Sequence, residues 1–115
     1  MSSLTVYHLK NCDSCRKALK ALSAAGHAVK AIDVRVEGVS PDALAAIEKA
    51  VGWEALLNTR STTWRGLDAN EKEGVDAPRA LSLIAKFPTL MKRPVIIGDG
   101  KTTLGWTKTA QDIWL

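Results

Sequence analysis

Hydrophobic and polar positions alternate along "LTVYHL" (Leu4 to Leu9), a stretch rich in strand formers, and this period of two predicts a first β-strand. The period then lengthens. Between Asp13 and Ala25, the apolar residues Ala18, Leu19, Leu22 and Ala25 recur at helical spacing, while Arg16, Lys17 and Lys20 fall elsewhere. This predicts an amphipathic helix that Gly26 is placed to end. A second strand pattern, "AVKAIDV" (Ala28 to Val34), follows within a few residues. Strand, helix and strand in that order form a βαβ unit, so the two strands are expected to run parallel.

"SPDALAAIEKAVG" opens the next helix, with Ser40 as N-cap, Pro41 at the first helical position, Asp42 in the first turn and Gly52 as terminator. "WEALLN" reads as a further short helical turn, and the hydroxyl-rich "TRSTTWRG" (Thr59 to Gly66) as loop. Asp68 and Glu71 have capping-box spacing for a short helix. Asp76, Pro78 and the apolar set Ala80, Leu81, Ile84 and Ala85 define another. "RPVIIGDGKTTLGW" predicts a β-hairpin: Val95 to Ile97, a turn at Gly98-Asp99-Gly100, then Thr102 to Leu104. The tail from Lys108 to Leu115 predicts a closing helix with Ile113 and Trp114 facing inward. Of the other tryptophans, Trp53 is expected in the core or against a helix. Trp64 and Trp106 are expected to pack rather than to line a site.

The order β-α-β, helices, β-β-α is that of an α/β thioredoxin-like fold with an inserted helical segment and a mixed sheet. The expected layout is a single domain over 1–115, with the core at about 3–35 and 88–115 and the insertion at about 40–87. Apolar residues make up 46% and charged residues 24%, enough of the former to bury a core. No apolar run approaches the ~20 residues of a membrane span. "MSSLTVYHLKN" lacks the features of a secretory leader, so a cytoplasmic location is expected. The net charge of +4 is spread among twelve acids rather than gathered in a stripe, which argues against direct nucleic-acid contact. No segment is left over for self-association, so a monomer is expected.

Both cysteines, Cys12 and Cys15, stand at the predicted entrance of the first helix. In a cytosolic setting such a Cys-x-x-Cys pair points to redox chemistry or metal, or to two inert core residues. Structural zinc wants four N or S ligands. Only His8 and His27 are available besides the two thiols, with no second paired motif, so no metal site is expected. A helix N-terminus favours thiolate, and residues at i and i+3 share a face. Converting an ordinary thiol to mostly thiolate at neutral pH needs about 2.7 kcal/mol, against the ~0.3–1 kcal/mol a helix end supplies. A fixed cation is therefore required.

"CDSCRKALKAL", "LLNTRSTTWR", "LMKRPVII" and "GDGKTTLGW" occur in the order and spacing of the arsenate reductase (ArsC) family, and the chain most resembles its Spx/YffB-like branch. The resemblance implies a redox cysteine at Cys12 and two active arginines at Arg60 and Arg93. Arginine keeps its charge and grips oxyanions or carboxylates with a planar fork. The two arginines are expected to lower the Cys12 pKa and to anchor substrate, with backbone amides around Asp13 and Ser14 as further donors. Pro94 matches the cis proline of thioredoxin-like proteins, so a cis Arg93-Pro94 bond is expected.

One family arginine is missing. In "LGWT", Trp106 stands where arsenate reductases carry a third arginine, which weakens arsenate as substrate and leaves oxyanion reduction an alternative. The expected activity is a glutathione-dependent thiol/disulfide reductase without bound cofactor. Cys12 is its nucleophile, Cys15 a candidate resolving thiol, glutathione its co-substrate, and glutaredoxin a candidate partner. The other alternative, outside enzymology, is an Spx-like redox regulator binding the RNA polymerase α subunit.

Overall fold

The computed structural model describes residues 3–115; Met1 and Ser2, the start of the stretch read as lacking a leader, lie outside it. The chain forms two compact units. One comprises the residues up to Glu37 together with Arg93–Leu115; the other is Gly38–Lys92. The segment 88–92, expected with the core, belongs to the second unit. There the Asn58 amide donates to the Leu90 carbonyl at 2.7 Å and the Lys92 amide to that of Leu56 at 2.9 Å.

In the first unit, β1 (Ser3–His8), α1 (Asp13–Ala24) and β2 (Ala28–Asp33) form the expected parallel βαβ unit. A short helix, α2 (Val34–Glu37), follows β2 directly. Gly26 ends the α1 region at φ +91°, a conformation side-chain-bearing residues rarely adopt. β3 (Val95–Gly98) pairs antiparallel with β1, and β4 (Lys101–Leu104) with β3, giving the order β2-β1-β3-β4. The hairpin turn is tighter than expected. Gly98 completes β3, leaving Asp99 (φ +48°) and Gly100 (φ +72°) as a two-residue Asp-Gly turn.

Leu4 and Val6 of β1, Ala18 and Leu22 of α1, and Ile96 of β3 form the core with Ala110 and Trp114 of the closing helix α8 (Lys108–Trp114). Trp106 packs against this cluster. The Trp114 indole N–H donates to the buried Thr103 hydroxyl at 2.8 Å, joining α8 to β4. Ile113 does not face inward: it is 41% exposed, because Ala110 and Trp114, four residues apart, already define the buried stripe.

The second unit is helical: α3 (Pro41–Val51), α4 (Trp53–Leu56), α5 (Thr62–Arg65), α6 (Ala69–Lys72), α7 (Ala77–Lys86) and a 3₁₀ turn (Pro88–Leu90). The Ser40 hydroxyl caps α3, accepting the Ala43 amide, and the Asp76 carboxylate caps α7, accepting that of Arg79. At α6 the Glu71 carboxylate accepts the Asp68 amide, as capping-box spacing requires. "TRSTTWRG" is not all loop. The Ser61 hydroxyl accepts the Trp64 amide at 3.1 Å and starts α5. The inward face of α7, the helix that the apolar set from Ala80 to Ala85 predicted, is Ala80, Leu83 and Ile84; Leu81 is half-buried and Ala85 exposed. Among the described residues, no helix is long and apolar enough to cross a membrane.

Candidate functional site

Cys12 is the N-cap residue of α1, held in extended backbone (φ −100°, ψ 117°) where β1 gives way to the helix. Its carbonyl accepts the Arg16 amide at 3.0 Å, the first bond of the helix. Cys12 is half-buried. Cys15, on the inward face of α1 with Ala18 and Leu22, is fully buried. Both are unbridged thiols.

Their surroundings push the two sulfurs apart in acidity. Burial is the largest single influence on Cys12 and opposes ionisation. It is outweighed by hydrogen bonds from the Cys15 side chain and backbone amide, and by the charge and hydrogen bond of Arg93, so the Cys12 pKa falls below the ordinary thiol value. Cys15 goes the other way. Burial first, then its hydrogen bond to Cys12, push its thiol up to about 12, against smaller opposing influences from the Leu9 backbone and Arg93. The cation that a helix end alone could not replace is thus Arg93. It lies beside Pro94, and the Arg93-Pro94 bond is cis.

Asp13 and Ser14 sit exposed in the first turn of α1. The Asp13 carboxylate pairs with Arg16, whose hydrogen bond and charge hold its pKa below the usual range. Arg60 lies in the second unit and is exposed. Its backbone amide donates to the Asn58 side chain at 3.1 Å, and it lines a cleft of about 520 Å³ with Trp53, Glu54, Leu57, Asn58, Thr59 and Lys92.

Two cleft residues were not legible as site candidates. Trp53, expected in the core or against a helix, is half-buried and walls the cleft; Lys92 is exposed. The only available signal for Lys92 was its place before Arg93 in "KRPV". Trp64 stays outside the cleft, its ring 5.7 Å from the Lys72 ammonium. His27 serves structure: its Nε2–H donates to the Trp114 carbonyl at 2.6 Å.

A mixed four-stranded sheet with a cysteine at the entrance of its first helix, and a cis proline next to an arginine that reaches that sulfur, defines a thioredoxin-like α/β protein. More narrowly, residues 7–111 match the ArsC family, and the chain belongs to it. It is 46% identical over 105 residues to an uncharacterized protein of Haemophilus influenzae, covering 91% of this chain and 92% of that one. It is 28% identical over 107 residues to the global transcriptional regulator Spx of Listeria monocytogenes, covering 91% and 81%. The solved structure of a protein called YFFB superimposes with a TM-score of 0.91 at 30% identity, covering 97% of this chain and 98% of that one.

Proposed function

We propose that this chain is a thiol-dependent reductase that uses Cys12 as nucleophile and glutathione as co-substrate. The observation that carries the reading is the half-buried Cys12, whose pKa Cys15 and Arg93 together lower. A thiolate is the attacking form, and lowering its pKa raises the fraction present at neutral pH. In the first step the Cys12 thiolate attacks a glutathionyl disulfide, expelling the substrate thiolate and forming a Cys12–glutathione disulfide. In the second, a glutathione thiolate attacks the bound glutathione sulfur, releasing glutathione disulfide and restoring Cys12. In sum, one glutathione thiol is consumed, and the glutathionyl disulfide becomes substrate thiol and glutathione disulfide. Cys15 offers an internal route: once deprotonated, it attacks the Cys12 sulfur of the mixed disulfide, forming Cys12–Cys15 and expelling glutathione thiolate. Arg60 is assigned substrate-carboxylate binding by the family resemblance, with the Asp13 and Ser14 amides as further donors, and glutaredoxin as a further reductant of the mixed disulfide.

Mass spectrometry after treatment with glutathione disulfide tests this directly. Glutathione on Cys12 is the expected product. An unmodified protein that also fails to form an internal bridge would remove the proposal.

The match to Spx supports a second reading, a redox switch acting through an interface with RNA polymerase. Pull-down with the polymerase α subunit, set against glutathione-coupled turnover, separates the two.

A further inference from the structure

The cleft in the second unit has properties that the cysteine site does not explain. Its walls are fixed by backbone pairing: Leu57 and Met91 form an isolated antiparallel bridge. The Asn58 and Lys92 amides are committed to the Leu90 and Leu56 carbonyls on either side of it. The amide of Arg60 is held by Asn58, and that of Leu57 by the Trp53 carbonyl. With these amides engaged, polar recognition in the cleft falls mainly to side chains. Two are cations, Arg60 and Lys92, and among the described residues neither forms an ion pair, even though Glu54 lines the same cleft. The half-buried Trp53 adds an aromatic wall. Unpaired guanidinium and ammonium groups recognise oxyanions, and an indole face suits a flat or apolar body. A volume of about 520 Å³ lies in the range of small-molecule sites and leaves an inorganic oxyanion most of the space unfilled.

We infer that this cleft is a binding site for an extended organic anion, a peptide-sized molecule carrying a carboxylate, held by Arg60 and Lys92 against Trp53. The inference rests on the proposed function for the carboxylate at Arg60 and for its probe, S-methylglutathione, which carries carboxylates but no reactive sulfur; Lys92 and Trp53 are assigned from the cleft itself.

The test uses the full-length Cys12→Ser protein, observing the Trp53 indole N–H by ¹H–¹⁵N NMR, assigned through Trp53→Phe. S-methylglutathione is expected to shift this resonance saturably while the Trp64 indole of the same unit stays in place as a fold reference. Lys92→Gln and Arg60→Gln are each expected to weaken binding roughly fivefold, the loss of one partly solvated charge-assisted contact. Inorganic phosphate at equal concentration is expected to produce a much smaller shift. An unmoved Trp53 resonance, a titration unchanged by both glutamine variants, or an equal response to phosphate overturns the inference. Binding without glutathione-dependent turnover in the native protein would remove the reductase reading and leave the cleft assignment standing. Turnover with an unmoved Trp53 would do the reverse.

Discussion

Arg93→Ala would take from the Cys12 sulfur both a hydrogen bond and an opposite charge, while leaving the burial that opposes ionisation in place. Alkylation of Cys12 by iodoacetamide at neutral pH is expected to slow several-fold, with the midpoint of its pH profile moving upward. Arg93→Lys should recover part of the rate, since it restores a charge but not the planar fork. Cys15 has the opposite linkage. Its pKa is raised on folding, so its contribution to stability is full below the unfolded thiol value of about 8.5 and is lost as pH climbs toward 12. Denaturant midpoints followed from neutral to alkaline pH should therefore fall more steeply for the native protein than for Cys15→Ala. Equal slopes would mean that Cys15 ionises as readily folded as unfolded. The sequence placed both thiols at a helix entrance, but their spacing said nothing about which one solvent reaches. That follows from α1 turning Cys15 onto the same face as Ala18 and Leu22.

Among the elements, caps and turns were the parts most legible in advance, because they are settled within a few residues. Ser40, Asp76 and Gly26 act as their residue types suggested, and Ser40→Ala should cost about 1 kcal/mol in thermal or denaturant unfolding. Gly98 was read only as part of a turn, yet it ends β3 where a side chain has no room. A Cβ there would overlap the buried Leu4 side-chain methyl and press on the Ser3 carbonyl at 3.1 Å. Gly98→Ala is expected to destabilise by about 1–3 kcal/mol, read by the same unfolding measurement. What hid this constraint is that it comes from β1, a strand far away along the chain.

For the molecule as a whole, α8 offers a paired comparison. Trp114→Phe would leave the buried Thr103 hydroxyl without its indole partner and should cost about 1–3 kcal/mol. Ile113→Ala, on the exposed side of the same helix, should change the unfolding midpoint by less than about 0.5 kcal/mol equivalent. Reversal of that order would restore the inward Ile113 that helical spacing had suggested. By itself the sequence determined the alternation of strand and helix, the parallel βαβ start, the closing hairpin and the family, because periodicity and turn chemistry act over short stretches of chain. Tertiary structure alone decided that Cys15 is sealed in and that Trp53, Arg60 and Lys92 line one cleft, and it is what carries Arg93, implied by the family resemblance, to the Cys12 sulfur. Each of those depends on segments distant in sequence being brought together by packing, and local patterns carry no record of that distance.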